Sequence, residues 1–274
     1  MNCTQPVALI TGAASGLGWA LAEQLCQKNY ALVLVDLNSE LLQAREKSLQ
    51  GKTRVLCVSM DITQAADIET LVEQTQNKMG RLDCLINNAG ITHRSLAEHT
   101  QPAVIRKVMA VDYQAPVEIA LACLPLLQQS RGKIINISSM AGWMPVLGRA
   151  GYCAAKSALH QFFETLRCEV RGDGVSVLMV YPSFLDTPIE QNALGFDGKP
   201  ATHARSMIGN MRSPDWMAGK IIDAMDKNLE RLFPDKFTWF ASLLYKLAPG
   251  FFLKRMSQKF ASELNHKKSL IAQP

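Results

Sequence analysis

Short runs of aliphatic and β-branched residues alternate along the chain with longer stretches whose apolar positions recur every three or four residues. The runs Val7–Thr11, Ala31–Asp36, Arg54–Ser59, Asp83–Asn87, Lys133–Ser138 and Val175–Tyr181 predict strands. Between them, helical spacing covers roughly 16–28, 39–50, 64–79, 101–129 and 151–171. Runs such as ALVLV and VSVLMVY show no polar alternation, as expected of parallel strands covered on both faces. Strands separated by helices imply right-handed crossovers, and so a single-domain α/β fold: a doubly wound parallel sheet with helices on both faces. Ligands of such sheets bind beyond the carboxyl ends of the strands, which is where chemistry is to be sought.

Composition narrows the picture. At 274 residues, 48% hydrophobic and 19% charged, the chain suits one large domain with a sizeable core and excludes wholesale disorder. No run of about 18 uninterrupted apolar residues predicts a transmembrane helix. The stretch Met1–Pro6 has no basic region and is not expected to be a signal peptide. Seven scattered cysteines without a CxxC pair exclude a disulfide scaffold or zinc ribbon and fit a reducing, cytoplasmic setting. His93, His99, His160, His203 and His266 show no ligand spacing, so no metal is expected, and His93 reads as a solvated loop residue. The net charge of +5 is concentrated in residues 241–274, where Lys246, Lys254, Arg255, Lys259, Lys267 and Lys268 stand against Glu263. The rest of the chain is balanced, which argues against a nucleic-acid partner.

The first predicted strand runs into Thr11-Gly12-Ala13-Ala14-Ser15-Gly16-Leu17-Gly18, and a helix follows. Glycines let a backbone turn tightly against a pyrophosphate, whose charge is met by the helix N-terminus. Asp36 ends the second strand 18 residues after Gly18, a spacing that suits a carboxylate accepting from ribose hydroxyls. A 2′-phosphate would meet like charge there, and neither Ser15 nor Leu37 is basic, so NAD(H) is favoured over NADP(H).

With Tyr152-Cys153-Ala154-Ala155-Lys156 added, the sequence resembles the short-chain dehydrogenase/reductase family, in its NAD-preferring subgroup with TGxxxGxG and YxxxK motifs. The resemblance spans roughly residues 6–190 in unbroken order and implies a Rossmann-like fold. It includes Asp61, Asn87-Asn88-Ala89-Gly90, Ser138-Ser139, and Pro182 with Thr187. It implies that Gly12, Ala14, Ser15, Gly16, Leu17 and Gly18 cradle the cofactor, and that Asp61 and Ile62 meet the adenine. Asn88, Ala89 and Gly90 would pack along the adenosine side, with Pro182 and Thr187 at the nicotinamide carboxamide. It also implies a homodimer or homotetramer built on the helices at roughly 114–129 and 151–171.

Tyr152 and Lys156, four residues apart, share one helical face. A free tyrosine, with a pKa of about 10, is roughly one part in a thousand phenolate at pH 7. A neighbouring ammonium and a cationic nicotinamide are expected to lower that pKa, making Tyr152 a general acid/base that Lys156 tunes while it holds the ribose. Ser139, 13 residues before Tyr152, would bond the substrate oxygen, with Ser138 pointing elsewhere. Two departures from the family pattern stand out. Asp112 occupies the place of an asparagine that helps fix a water relayed to the lysine, and Ser183 follows Pro182 where glycine is usual. An ionised Asp112 cannot donate a hydrogen bond, so it either preserves, shifts or impairs the relay.

Trp143, Met144 and Leu147, and after Thr187 the residues Ile189, Leu194, Phe196, Met207, Ile208 and Met211, are candidate substrate walls. They favour a bulky hydrophobic alcohol or ketone, with about 183–215 as a lid inside a catalytic domain of 1–235. The extension 236–274 is aromatic-rich and basic, broken at Pro249-Gly250; it reads as a pocket cover, a subunit contact or a peripheral membrane contact. The competing function is a cofactor-binding sensor or scaffold with weakened catalysis, motivated by Asp112 and Ser183.

Overall fold

The computed structural model describes residues 5–201 and 211–259. Seven parallel strands form one sheet in the order β3-β2-β1-β4-β5-β6-β7. They are β1 (Val7–Thr11), β2 (Ala31–Asp36), β3 (Val55–Ser59), β4 (Cys84–Asn87), β5 (Lys133–Ile137), β6 (Ser176–Val180) and β7 (Arg231–Leu232). The helices are α1 (Gly16–Gln27), α2 (Ser39–Leu49), α3 (Ala65–Met79), α4 (Pro102–Met109), α5 (Ala115–Ser130) and α6 (Ala150–Glu169). After β6 come α7 (Pro214–Asp226), α8 (Lys236–Leu247) and α9 (Pro249–Lys259). This is the expected single-domain, doubly wound Rossmann-like α/β fold. Neither α7 nor β7 figured in the sequence-based assignment.

Because strand side chains alternate between faces, each strand feeds two cores. Val7, Leu9, Val33, Val35, Ile134 and Met179 pack with α3, α5 and α6. Ala8, Ile10, Leu32, Leu34, Ile135 and Val180 pack with α1, α2 and α7. That double burial is why the central strands read as continuous apolar runs. Cys84 and Cys123 are fully buried within the two cores.

Helices α4 and α5 are joined by a π-helical turn, Ala110–Gln114, into one 29-residue stretch, Pro102–Ser130. By length and composition alone this stretch could cross a membrane. Its apolar positions Ala115, Ile119, Ala120, Cys123 and Leu127 are instead buried in the core shared with α3 and α6. The turn places Asp112 at full burial, and single π turns within helices recur at functional sites.

Candidate active site

The strand ends build the site from one edge of the sheet. Past β1, Gly12 takes φ +65°, and a Cβ there would lie 2.9 Å from the Ala89 Cα. Gly18 is more constrained, since a Cβ would sit 2.1 Å from the Gly12 carbonyl oxygen and 2.6 Å from the Asn88 amide nitrogen. Past β4, Asn88 Nδ2 donates to the carbonyls of Thr11 (3.0 Å) and Gly12 (3.1 Å), and the Asn88 and Ala89 N–H groups donate to Thr11 Oγ1. Helix α1 begins with no side-chain cap and no acidic residue in its first turn, so its positive end faces the turn unopposed. Asp36 accepts from the Ala14 N–H (3.0 Å) and the Asn38 N–H (3.0 Å), which ties the second strand to the glycine turn. Asp61 accepts from the Thr63 N–H and hydroxyl, and these bonds hold its carboxyl below the usual range.

Past β5, Ser139 caps a 3₁₀ turn (Met140–Gly142), accepting from the Ala141 N–H at 3.1 Å and sharing a hydrogen bond with Tyr152. Ser138, expected to point elsewhere, is buried but also lines the cavity described below, and a Cβ on Gly142 would lie 2.7 Å from its hydroxyl. Lys156 is buried and donates to the Ile137 carbonyl at 3.1 Å, with its ammonium 5.8 Å from the centre of the Tyr152 ring. The expected lowering of the tyrosine pKa is absent in the chain by itself. Burial, then the charge of Asp112, push the Tyr152 phenol above its ordinary value, while Ser139 and Arg149 pull weakly the other way.

Asp112 Oδ1 accepts from the Ile91 N–H at 2.8 Å. A Cβ on Gly90 would lie 2.9 Å from that oxygen and 3.5 Å from Lys156 Nζ, so glycine leaves room for the two groups to approach. Burial pushes the Asp112 carboxyl up to about 6, against the opposing pull of the Lys156 charge and the Ile91 N–H.

One cavity of about 990 Å³ joins these elements. Gly12, Ser15, Gly16, Leu17, Asp36, Asp61, Ile62, Asn88, Ala89 and Gly90 line one part of it. Ser139, Tyr152, Pro182 and Thr187 line the rest with Met144 and Ile189. Ala14, Gly18, Asp112 and Lys156 do not line it themselves: Ala14 is bonded to Asp36, Gly18 packs on Gly12 and Asn88, and Asp112 and Lys156 lie against Gly90. Trp143, Leu147, Leu194, Phe196 and Met211 do not line the cavity, contrary to expectation, and Met207 and Ile208 lie outside the described residues. Trp143 instead packs edge-on against His160, Tyr181 and Phe233, and donates to the Ser242 carbonyl at 3.3 Å. Leu147 packs under α9.

Further residues line the cavity. Phe237, Phe240, Leu244, Phe252 and Met256 reach the cavity from α8 and α9, and Arg149 reaches it from the start of α6. Arg149 pairs with Glu190 at 3.2 Å and donates to Thr92 Oγ1 at 3.1 Å, fastening the segment after Thr187 to the helix that carries Tyr152. His93 is fully buried rather than solvated. Its Nε2 accepts from the Gly151 N–H at 2.9 Å, capping α6 one residue before Tyr152, and burial drives its pKa down to about 4.

A family model described as short chain dehydrogenase matches residues 6–195, which hold the glycine turn, Asn88, Ser139, Tyr152 and Lys156. The chain belongs to the short-chain dehydrogenase family. It is therefore an oxidoreductase of a family that works with nicotinamide cofactors. Dehydrogenase/reductase SDR family member 7B of Bos taurus is 31% identical over 272 residues, covering 96% of this chain and 84% of its own. 11-beta-hydroxysteroid dehydrogenase A of Sesamum indicum is 37% identical over 189 residues, 68% of this chain and 54% of that one. Among solved structures, a short-chain dehydrogenase from Streptomyces avermitilis superposes with a TM-score of 0.77 at 25% identity, over 99% of both chains. An alcohol dehydrogenase from the archaeon Thermococcus sibiricus, complexed with 5-hydroxy-NADP, shares the fold at TM-score 0.72 and 22% identity, over 83% of this chain and 94% of its own.

For a short-chain dehydrogenase, the buried carboxyl at Asp112 carries a measurable cost. A carboxyl raised from 3.8 to about 6 disfavours the folded state wherever it is ionised. The penalty is absent below about pH 4, grows between the two values and is complete above about pH 6. Asp112→Asn keeps an acceptor for the Ile91 N–H. It is expected to stabilise the fold by ~2 kcal/mol at pH 7.5 and by nothing at pH 4, as read by urea unfolding at both values. Equal effects at both pH values would show that the carboxyl is not held in its raised state.

Proposed function

We propose that this oxidoreductase moves a hydride between NAD(H) and a secondary alcohol or ketone carried on a bulky hydrophobic body. The observation that carries the reading is the single cavity in which the glycine turn and Asp36 lie at one end and Ser139 and Tyr152 at the other. Beyond the cofactor end its walls include Met144, Ile189, Phe240, Leu244 and Phe252, together with the ion-paired Arg149 and Glu190 and with Arg255 and Lys259.

The residues present fit a dinucleotide. Gly12 and Gly16 adopt positive φ, leaving a turn bare of side chains at the α1 N-terminus, as a pyrophosphate requires. In this reading Gly12 and Ala14 to Gly18 hold the pyrophosphate, Asp36 the adenosine ribose, and Asp61 and Ile62 the adenine. Asn88 to Gly90 support the adenosine side, and Pro182 and Thr187 meet the carboxamide. When bound, the nicotinamide supplies or accepts the hydride. Tyr152 moves the proton at the substrate oxygen, and Ser139 donates a hydrogen bond to that oxygen as charge develops. Lys156 holds the ribose and steadies the phenolate. Because burial keeps Tyr152 in its phenol form in the free chain, the residue waits as a proton donor, and added positive charge is needed to make it a base.

Asp36 supports NAD(H). Its carboxylate sits at the cavity wall, the adjoining Leu37 is apolar, and the nearby Arg45 is engaged by the Ala14 carbonyl and the Trp19 ring. A 2′-phosphate against Asp36 would cost enough, at a separation of a few ångströms, for about a tenfold or greater preference for NADH over NADPH. Titration of nicotinamide fluorescence with both cofactors checks this, and Asp36→Asn is expected to narrow the gap. Tighter binding of NADPH by the parent chain would overturn the assignment.

Helices α5 and α6 present Leu121, Leu124 and Phe162 incompletely buried, which supports assembly as a homodimer or homotetramer. The proposed setting is cytoplasmic, with residues 1–235 as the catalytic unit, its lid at about 183–215, and 236–274 as an extension that covers the pocket, meets a second subunit or touches a membrane; residues 202–210 and 260–274 lie outside the described residues. A second reading, a cofactor-binding sensor or scaffold, draws on the charge of Asp112, which pushes Tyr152 away from phenolate. A large gain of activity in Asp112→Asn would favour it.

A further inference from the structure

Helix α8 is built inside out. Its buried positions are Thr238, Ala241 and Ser242, two hydroxyls and a methyl. Phe237, Trp239, Phe240 and Leu247, with Phe251 and Leu253 of α9, are 42–73% exposed. An amphipathic helix on a globular surface shows the reverse pattern, and a soluble monomer seldom leaves this much large apolar surface in water. Loose attachment does not explain it. Asp235 and Thr238 form a reciprocal capping box, Trp143 is bonded to the Ser242 carbonyl, and Phe252 and Met256 pack on Met144, Val146 and Leu147. The aromatic surface is held out by a well-anchored pair of helices.

Its charge identifies the occupant. Lys236, Lys246, Lys254, Arg255 and Lys259 are all exposed, and Lys236–Lys259 contains no acidic residue. Aromatic rings interleaved with cations on short surface helices match a lipid interface with anionic headgroups, where each cation adds attraction and the rings enter the acyl boundary. Phe237, Phe240, Phe251, Arg255 and Lys259 are exposed and also line the cavity. The mouth of the cavity therefore lies within the aromatic and basic surface.

We propose that α8 and α9 dock on an anionic bilayer and that the substrate cavity opens onto the lipid, so that substrate enters from the membrane rather than from water. The inference rests on the hydrophobic alcohol or ketone proposed above and narrows it to one dissolved in lipid.

The test uses the full chain and the variant Trp239→Asp/Leu247→Asp, whose side chains lie outside the cavity, with folding of both checked by circular dichroism. The parent is expected to co-float with phosphatidylcholine vesicles containing phosphatidylserine and to bind phosphatidylcholine alone far less. Brominated lipid should quench its tryptophan emission, and Trp239→Phe should remove most of that quenching. The double variant should lose about tenfold or more in vesicle affinity. It should lose a similar factor in turnover of a long-chain ketone supplied in vesicles, with turnover of a short water-soluble ketone unchanged. Equal flotation of two folded proteins, or none by the parent, overturns the docking. Undiminished turnover of vesicle-borne ketone after docking is lost overturns entry from lipid. Dissociation of an oligomer by the variant, with no change in vesicle binding, assigns the surface to a second copy of the chain and also overturns the proposal. Flotation needs no turnover, so a chain that docks but reduces no ketone would fail the proposed function while the docking stands.

Discussion

Tyr152→Phe is expected to lower kcat by about a thousandfold while leaving cofactor affinity within about twofold of the parent. The substitution removes one oxygen, the group by which Tyr152, a lining residue of the cavity, shares a hydrogen bond with Ser139. A thousandfold corresponds to about 4 kcal/mol of transition-state stabilisation, within what a positioned general acid supplies. The ring is retained, so the packing of α6 and the hold of Lys156 on the Ile137 carbonyl should persist. Steady-state reduction of a hydrophobic ketone, with a parallel cofactor titration, separates the two effects. Near-parent kcat would remove Tyr152 from the chemistry. A matching loss of cofactor affinity would recast it as a binding residue.

Gly18→Ala is expected to act on the other end of the cavity and on the fold together. The added methyl would meet the Gly12 carbonyl oxygen at 2.1 Å and Asn88 Nδ2 at 2.6 Å. Both are fixed, because that amide is bonded to the Thr11 and Gly12 carbonyls and so joins β1 to β4. Relief requires either moving α1 off the sheet or breaking the Asn88 bonds, at about 2–4 kcal/mol in stability. Since the displaced backbone is the proposed pyrophosphate cradle, NADH affinity should fall by about a hundredfold or more. Gly172→Ala is the matched control, since a Cβ there meets nothing within 4 Å and should leave both properties unchanged. Chemical denaturation and cofactor titration of the two variants provide the comparison. A stable, tightly binding Gly18→Ala chain would contradict the close packing on which the cradle depends.

The legible parts of the molecule were those governed by local pattern. Runs such as Ala31–Asp36 are buried on both faces, so their composition alone announces a central parallel strand. The glycine turn and the Tyr152–Lys156 pair are fixed by spacing along one element, and the geometry follows from the helix or turn itself. β7 was not legible, because two residues, Arg231 and Leu232, carry no periodicity. His93 was misread because a histidine after a turn ordinarily meets water. Only the tertiary fold reveals that it is buried against the start of α6 and accepts from the Gly151 N–H. The Arg149–Glu190 pair spans 41 positions and left no local trace. The cavity walls supplied by α8 and α9 were legible only as one of three readings of the extension, a pocket cover. Their aromatics could serve a core, a partner or a lipid, and only exposure and position at the cavity mouth distinguish these uses. Trp143 erred in the opposite direction, since its place between Ser139 and Tyr152 suggested the cavity while packing turned it toward Tyr181 and Phe233.

Hydride transfer to a hydrophobic carbonyl at the Tyr152 site can be followed through the transferred hydrogen. The chain is supplied with NADH deuterated at the nicotinamide C4 and with a long-chain ketone, and the recovered alcohol is examined by mass spectrometry. One deuterium is expected on the carbinol carbon, delivered from one face of the nicotinamide, and almost none with Tyr152→Phe. Undeuterated alcohol, or no alcohol from NADH or NADPH across a set of hydrophobic ketones, would contradict it.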